Sequence, residues 1–142
     1  MNFGNNNALQ QYRQVGTHTE VDGASPHRLI QLLMEGGLEK IRIAKMQMEC
    51  GNVAEKASHI SWAIAIIGGL QDSLDMEKGG EISENLDKLY DYMQYCLTVA
   101  NMENDPAILD EIHGLLNEIK EAWDGVPEIL RGLQEQNVAT GS

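Results

Sequence analysis

The stretch EISENLDKLYDYMQYCLTVANMEND, residues 81–105, decides the fold. Within it Ile82, Leu86, Leu89, Met93, Cys96 and Ala100 follow one another at spacings of four and three, which a helix turning about 100° per residue stacks into one seam. Tyr90 and Leu97 fall to one side of that seam, Tyr92 and Val99 to the other. The apolar arc therefore approaches half the circumference, whereas a core-facing surface helix needs only about 100°. One edge of this helix is surplus to a single core. Tyr95 lies further round still, and a ring with a polar tip suits a contact that is both apolar and wet. Tyr92, Tyr95 and Val99 are accordingly the candidate residues of a partner-facing edge; the alternative for the tyrosines is a rim packed on a neighbouring helix.

Upstream, Asn52 with Glu55 three residues later has the spacing of a capping box, and it opens a second periodic run through Val53, Ala57, Ile60, Ile64, Ile67 and Leu74. Gly79-Gly80 separates that run from the first. Further back, Ser25-Pro26 is a helix start: the serine oxygen can accept from the free amides of the first turn, and proline loses no bond at the first helical position. The run it opens has Ile30, Leu33, Gly37, Ile41, Ala44 and Met48 as its seam and stops at Gly51-Asn52. Downstream, Asp105-Pro106 starts a fourth run, in which Leu109, Ile112, Leu116, Ile119 and Trp123 share a face, ending near Gly125 and Pro127. Links this short force successive helices to lie antiparallel. The expected fold class is all-α: an antiparallel up-and-down four-helix bundle, with helices of roughly 20 residues or ~30 Å. It forms a single domain, with the bundle over residues 25–125. A short N-terminal helical arm occupies residues 1–24, where Leu9 and Tyr12 stand three apart and share a face, and residues 126–142 form a tail whose end reads as disordered.

A chain of 142 residues can bury a core without help from metal or disulfide. Cys50 and Cys96 form no CxxC pair, and both read as reduced, buried thiols. The net charge of −12, with 10 Lys+Arg against 22 Asp+Glu, repels phosphate backbones and anionic lipid, so neither nucleic acid nor membrane insertion is expected. No apolar run reaches the roughly 18 residues of a membrane span, and the polar start MNFGNNNALQQ is unlike a secretory leader; the expected location is the cytoplasm. An exposed apolar edge serves a second copy as well as a client, which leaves monomer and homodimer both open.

Nothing in the pattern points to an enzyme or a cofactor. A carboxylate-bridged metal pair in a bundle needs Glu-x-x-His on two helices and two more inward glutamates, and the nearest match is a single Asp110-x-x-His113. His18, His27 and His59 are scattered, reading with His113 as solvated or locally bonded, and the serines have no patterned His and Asp nearby. Gly36-Gly37 and Gly68-Gly69 sit inside helices, where each glycine costs about 0.5–1 kcal/mol relative to alanine. They mark either a narrow waist where backbones approach closely or a shallow groove that accepts a partner's helix. No phosphate-loop pattern accompanies them.

Three stretches together carry a family resemblance: ASPHRLIQLLMEGGLEKI at residues 24–41, ISWAIAIIGGLQDSLDMEKGGEISENLDKLYDYM at 60–93, and ANMENDPAILDEIHGLLNEIKEAW at 100–123. With Tyr12 in the N-terminal arm they closely resemble the flagellar secretion chaperone family FliS, over roughly residues 8–125. The resemblance implies an all-helical antiparallel bundle that binds the C-terminal segment of new flagellin in the cytoplasm, keeps it from polymerising early, and delivers it to the flagellar type III export apparatus. It implies also that the segment around Tyr12 lies over part of the flagellin groove while flagellin is absent. A flagellin tail cannot bury its apolar face without its polymer neighbours, so a bundle lending its own edges would let it fold on binding. The alternative within the same class is a helical adaptor or anti-polymerisation regulator for another client.

Overall fold

The computed structural model describes residues 23–126. Four helices lie wholly within them: α1 Pro26–Glu49, α2 Val53–Asp72, α3 Gly80–Glu103 and α4 Pro106–Asp124, with no strand among the described residues. The two Pro-initiated starts are built as the residues dictate. Ser25 Oγ accepts from the Arg28 amide at 3.1 Å, and Asp105 Oδ1 accepts from the Ala107 amide at 3.0 Å. Between α1 and α2 the chain reverses through Gly51 at φ +77°, with the Asn52 amide donating to Gln47 O and the Gly51 amide to Met48 O. That pair of bonds closes the carbonyl end of α1 in a left-handed glycine cap.

The capping box expected at Asn52 and Glu55 does not form. The Asn52 amide side chain turns back across the turn and donates to Gln47 Oε1 at 2.6 Å, while the Glu55 carbonyl accepts from His59 Nδ1 at 2.8 Å. The α2–α3 connection is also longer than a bare glycine pair. Helix α2 stops at Asp72, and the segment from Ser73 to Gly79 is held by Asp75, whose carboxylate accepts from the Glu77 and Lys78 amides and whose carbonyl accepts from Ser83 Oγ. A side chain on Gly79 would collide with Ser83 and come within 2.8 Å of the Asp75 carbonyl, so glycine is required there for steric reasons.

The helices run up and down in chain order, with α1 flanked by α2 and α4 and α3 packed on α2 and, least closely of all neighbours, on α4. Leu33, Ile41, Ala44, Ile60, Ile67, Met93, Ala100, Leu109, Ile112 and Leu116 meet in one core, to which Ile66, Leu70, Tyr90 and Leu97 add. The α4 seam is the one read from the sequence, and in α1 Leu33, Gly37, Ile41 and Ala44 are buried as read, with Ile30 and Met48 half-buried and Leu32, Met34 and Gly36 buried beside them. The α3 seam is rotated: its buried line is Ser83, Tyr90, Met93, Leu97 and Ala100, with Leu86, Leu89 and Cys96 half-buried beside it, and Ile82 is 72% exposed. The shift is roughly 50°, half of one residue's step, which an arc this broad permits without losing apolar burial. Val53 likewise stands exposed at the first position of α2, where the inward place is taken by Lys56.

Gly37 lies at a waist. A Cβ built on it would stand 3.0 Å from Leu116 Cδ2 on α4 and 3.4 Å from Ile66 Cγ2 on α2, both fully buried side chains. Gly37→Ala would gain about 1 kcal/mol of helix propensity but incur about 1–3 kcal/mol of overpacking, since the new methyl must displace two fully buried side chains. The expected outcome in urea is a net loss of about 1 kcal/mol; a gain would show that Leu116 yields.

Cys50 is exposed at the α1–α2 turn rather than buried, because the helix has ended there, whereas Cys96 is half-buried against the core. His27 is buried rather than solvated: its ring stacks on Trp123 at 4.5 Å between centroids, and Trp123 Nε1 donates to the His27 carbonyl at 3.1 Å. The arm, with Leu9 and Tyr12, and the tail after Val126 lie outside the described residues.

Candidate functional site

The rotation of α3 that buries Tyr90 and Leu97 turns the opposite side of the helix outward. Tyr92, Tyr95 and Val99 follow at spacings of three and four and share that outer side; Tyr92 is 45% exposed, Tyr95 69%, and Val99 is half-buried. Met102, three residues on and 69% exposed, extends the stripe by a turn. It was missed in reading the sequence, although its spacing from Val99 carried the signal. Two exposed aromatic rings and an exposed methionine, with the half-buried Val99 between them on one helix face, are the kind of patch that marks a contact surface.

The flanks of α3 are tied to its neighbours by different means. On the α2 side, Gln71 donates to Asp87 Oδ1 at 2.9 Å and Asp91 Oδ1 at 2.8 Å and accepts from Gln94 at 2.8 Å. Nearer the end of α3, the buried Lys56 ammonium donates to the Asn101 carbonyl at 2.9 Å and to Asn104 Oδ1 at 2.6 Å. Lys56 thus places its charge at the carbonyl end of α3, where the helix dipole is negative, and Asn104 adopts the left-handed conformation, φ +53°, that ends the helix. On the α4 side, the Tyr92 hydroxyl donates to Glu111 Oε2 at 2.6 Å. The bond to Glu111, and after it the Cys96 thiol, hold the Tyr92 phenol in its protonated form well above the ordinary range.

Other charged side chains are occupied in holding α4 to α1. Lys45 reaches both Asp110 oxygens, at 3.0 and 3.1 Å, and Asp110 raises the lysine's pKa in return. Within α4, Lys120 pairs with Asp124 at 2.6 Å and keeps that carboxyl below its usual range, and the two reach α1 through Gln31, which donates to Asp124 Oδ1 at 2.7 Å, and Glu35, 3.9 Å from the Lys120 ammonium. Of the Asp110-x-x-His113 pair, Asp110 is held by Lys45, and no group of three or more His, Cys, Asp or Glu among the described residues could hold a metal ion. No helix among the described residues is long and apolar enough to cross a membrane.

The described residues form an all-helical antiparallel bundle with an apolar stripe on the outer side of α3, away from the core. The family model described as "Flagellar protein FliS" matches residues 7–129. The chain is 51% identical over 119 residues to the "Flagellar secretion chaperone FliSB" of Pseudomonas aeruginosa, covering 84% of this chain and 94% of that one. It is 42% identical over 120 residues to the "Flagellar secretion chaperone FliS" of Vibrio cholerae, covering 84% and 88%. With the protein of that name from Salmonella typhimurium it shares 45% over 116 residues, 81% and 86% of the two chains. This protein belongs to the FliS family.

Proposed function

We propose that the protein is a cytoplasmic flagellar secretion chaperone that captures flagellin by its C-terminal segment, prevents premature polymerisation and passes it to the flagellar export apparatus. The observation that carries this reading is the stripe of Tyr92, Tyr95 and Val99 on the outside of α3, in a chain whose relatives bear the name of flagellar secretion chaperones. Capture needs apolar surface and no catalysis. A client helix laid along the stripe would bury its own apolar face together with that of α3, and the ordering of the client would be offset by an extended contact.

Calorimetry with full-length flagellin and with flagellin truncated at its C-terminus tests the proposal. Binding of the first, with a negative heat-capacity change, and loss of binding by the second are expected. Equal binding of both would place the recognised segment elsewhere, and binding of neither would reject flagellin as the client. Tyr95→Ala is expected to weaken binding by about 1 kcal/mol or more, roughly fivefold, while leaving the thermal melt nearly unchanged. Unaltered affinity would make Tyr95 ordinary surface.

A further inference from the structure

The α3–α4 seam is the least closely packed of the bundle, and it carries half-buried apolar side chains on both walls: Leu89 and Cys96 on α3, Ile108 and Leu115 on α4. The Tyr92–Glu111 bond crosses it. Among the described residues no lysine or arginine pairs with Glu111, in contrast to its neighbour Asp110, which is held by Lys45. The Glu111 carboxylate is therefore given over to the phenol. At 2.6 Å the Tyr92 hydroxyl makes a short hydrogen bond to the Glu111 side chain, and an acceptor oxygen at that position is what it requires. Because the partner stands on a different helix, the bond fixes the direction of the ring relative to the bundle and not merely relative to α3.

We propose that Glu111 is a positioning residue for client capture: by accepting from the Tyr92 hydroxyl it holds that ring across the α3–α4 seam, in line with Tyr95 and Val99. The role rests on the proposed function and adds to it a residue on α4 that does not itself touch the client. An exposed tyrosine otherwise loses rotamer freedom when a client helix covers it; a ring already held by Glu111 has lost that freedom in the free protein, so docking is less opposed. The protonated state of Tyr92 agrees with the same geometry, since the phenol must keep its proton to donate it.

The test is a double-mutant cycle on the full chain, titrated with full-length flagellin and accompanied by thermal melts. Glu111→Ala and Tyr92→Phe are each expected to weaken binding about three- to tenfold, the size expected for one side chain that must be ordered on docking. The double variant is expected to bind no more weakly than the weaker single one, because both changes remove the same bond. Glu111→Gln, which keeps an acceptor oxygen, is expected to stay within about twofold of the parent, a rescue that a purely electrostatic contact with the client would not show. Wild-type affinity for Glu111→Ala, losses that multiply in the double variant, or a glutamine variant as weak as the alanine one would each overturn the role. Should Glu111→Ala fail to fold, Tyr92→Phe and Glu111→Gln decide by the same criteria: a three- to tenfold loss in the first with retention in the second supports the role, and any other pair of results overturns it. A parent protein that does not bind flagellin rejects the proposed client along with this role, whereas normal binding by parent and Glu111→Ala alike rejects the positioning role alone.

Discussion

Leu116→Ala is expected to cost the bundle about 3–5 kcal/mol, in the upper part of the range for leucine truncations in a packed core. Leu116 is fully buried, and its Cδ2 lies where a Cβ on Gly37 would stand only 3.0 Å away. The cost of truncation depends on how far the surroundings collapse into the space, and a glycine backbone in mid-helix has no side chain to offer. Urea denaturation measures the loss directly, and a change below about 1 kcal/mol would mean that the waist closes up. The same geometry predicts a change of sign at Gly37. In the parent, Gly37→Ala overpacks the waist; in the Leu116→Ala background its methyl fills part of the cavity and keeps its helix-propensity gain, so there it stabilises. A coupling of about 1 kcal/mol or more between the two sites is expected, and additive effects would show that they do not share the space.

Stability is expected to fall by about 2–3 kcal/mol between pH 10 and pH 12 through Tyr90 alone. The phenol is 2% exposed, and burial pushes its pKa up to about 12 from an ordinary value of 10.0. Below pH 10 the folded and unfolded chains both keep the proton, and the stabilisation is fully present. Between 10 and 12 the unfolded chain ionises while the folded one does not, so the free energy of unfolding declines; above 12 both are ionised and the loss is complete. Lysines also titrate in this window, which makes the informative quantity the difference between the parent and Tyr90→Phe, referenced to pH 8. Parallel stability profiles for the two proteins would show that Tyr90 ionises without unfolding and that its burial is shallow.

Tyr90 also shows where sequence reading stops. The helix starts at Ser25-Pro26 and Asp105-Pro106 and the reversal at Gly51 were legible because each rests on local chemistry: a side-chain oxygen facing free amides, a proline at a position that needs no amide hydrogen, a backbone that only glycine adopts without strain. The seam of α4 was legible because it is one narrow apolar line, Leu109, Ile112 and Leu116, whereas α1 buries Leu32 and Met34 beside the line read from its spacing. Helix α3 has an arc broad enough to face the core in more than one rotation, and its sequence alone leaves Ile82 and Tyr90 as comparable candidates for burial. The neighbours decide: α2 and α4 take Tyr90 and Leu97 inward, Ile82 is left 72% exposed, and the same rotation presents Tyr92, Tyr95 and Met102 to the outside. Lys56 and Glu111 could not have been singled out at all, since their partners lie on other helices, 48 and 19 residues away in sequence. By itself the sequence determined the starts at Ser25-Pro26 and Asp105-Pro106 and the reversal at Gly51, though not that α2 ends at Asp72; it determined also that the helices form an antiparallel bundle and that α3 carries more apolar surface than one core uses. Tertiary packing alone decided which part of that surface faces outward, because the rotation of a broadly apolar helix is settled by contacts between segments far apart in the chain.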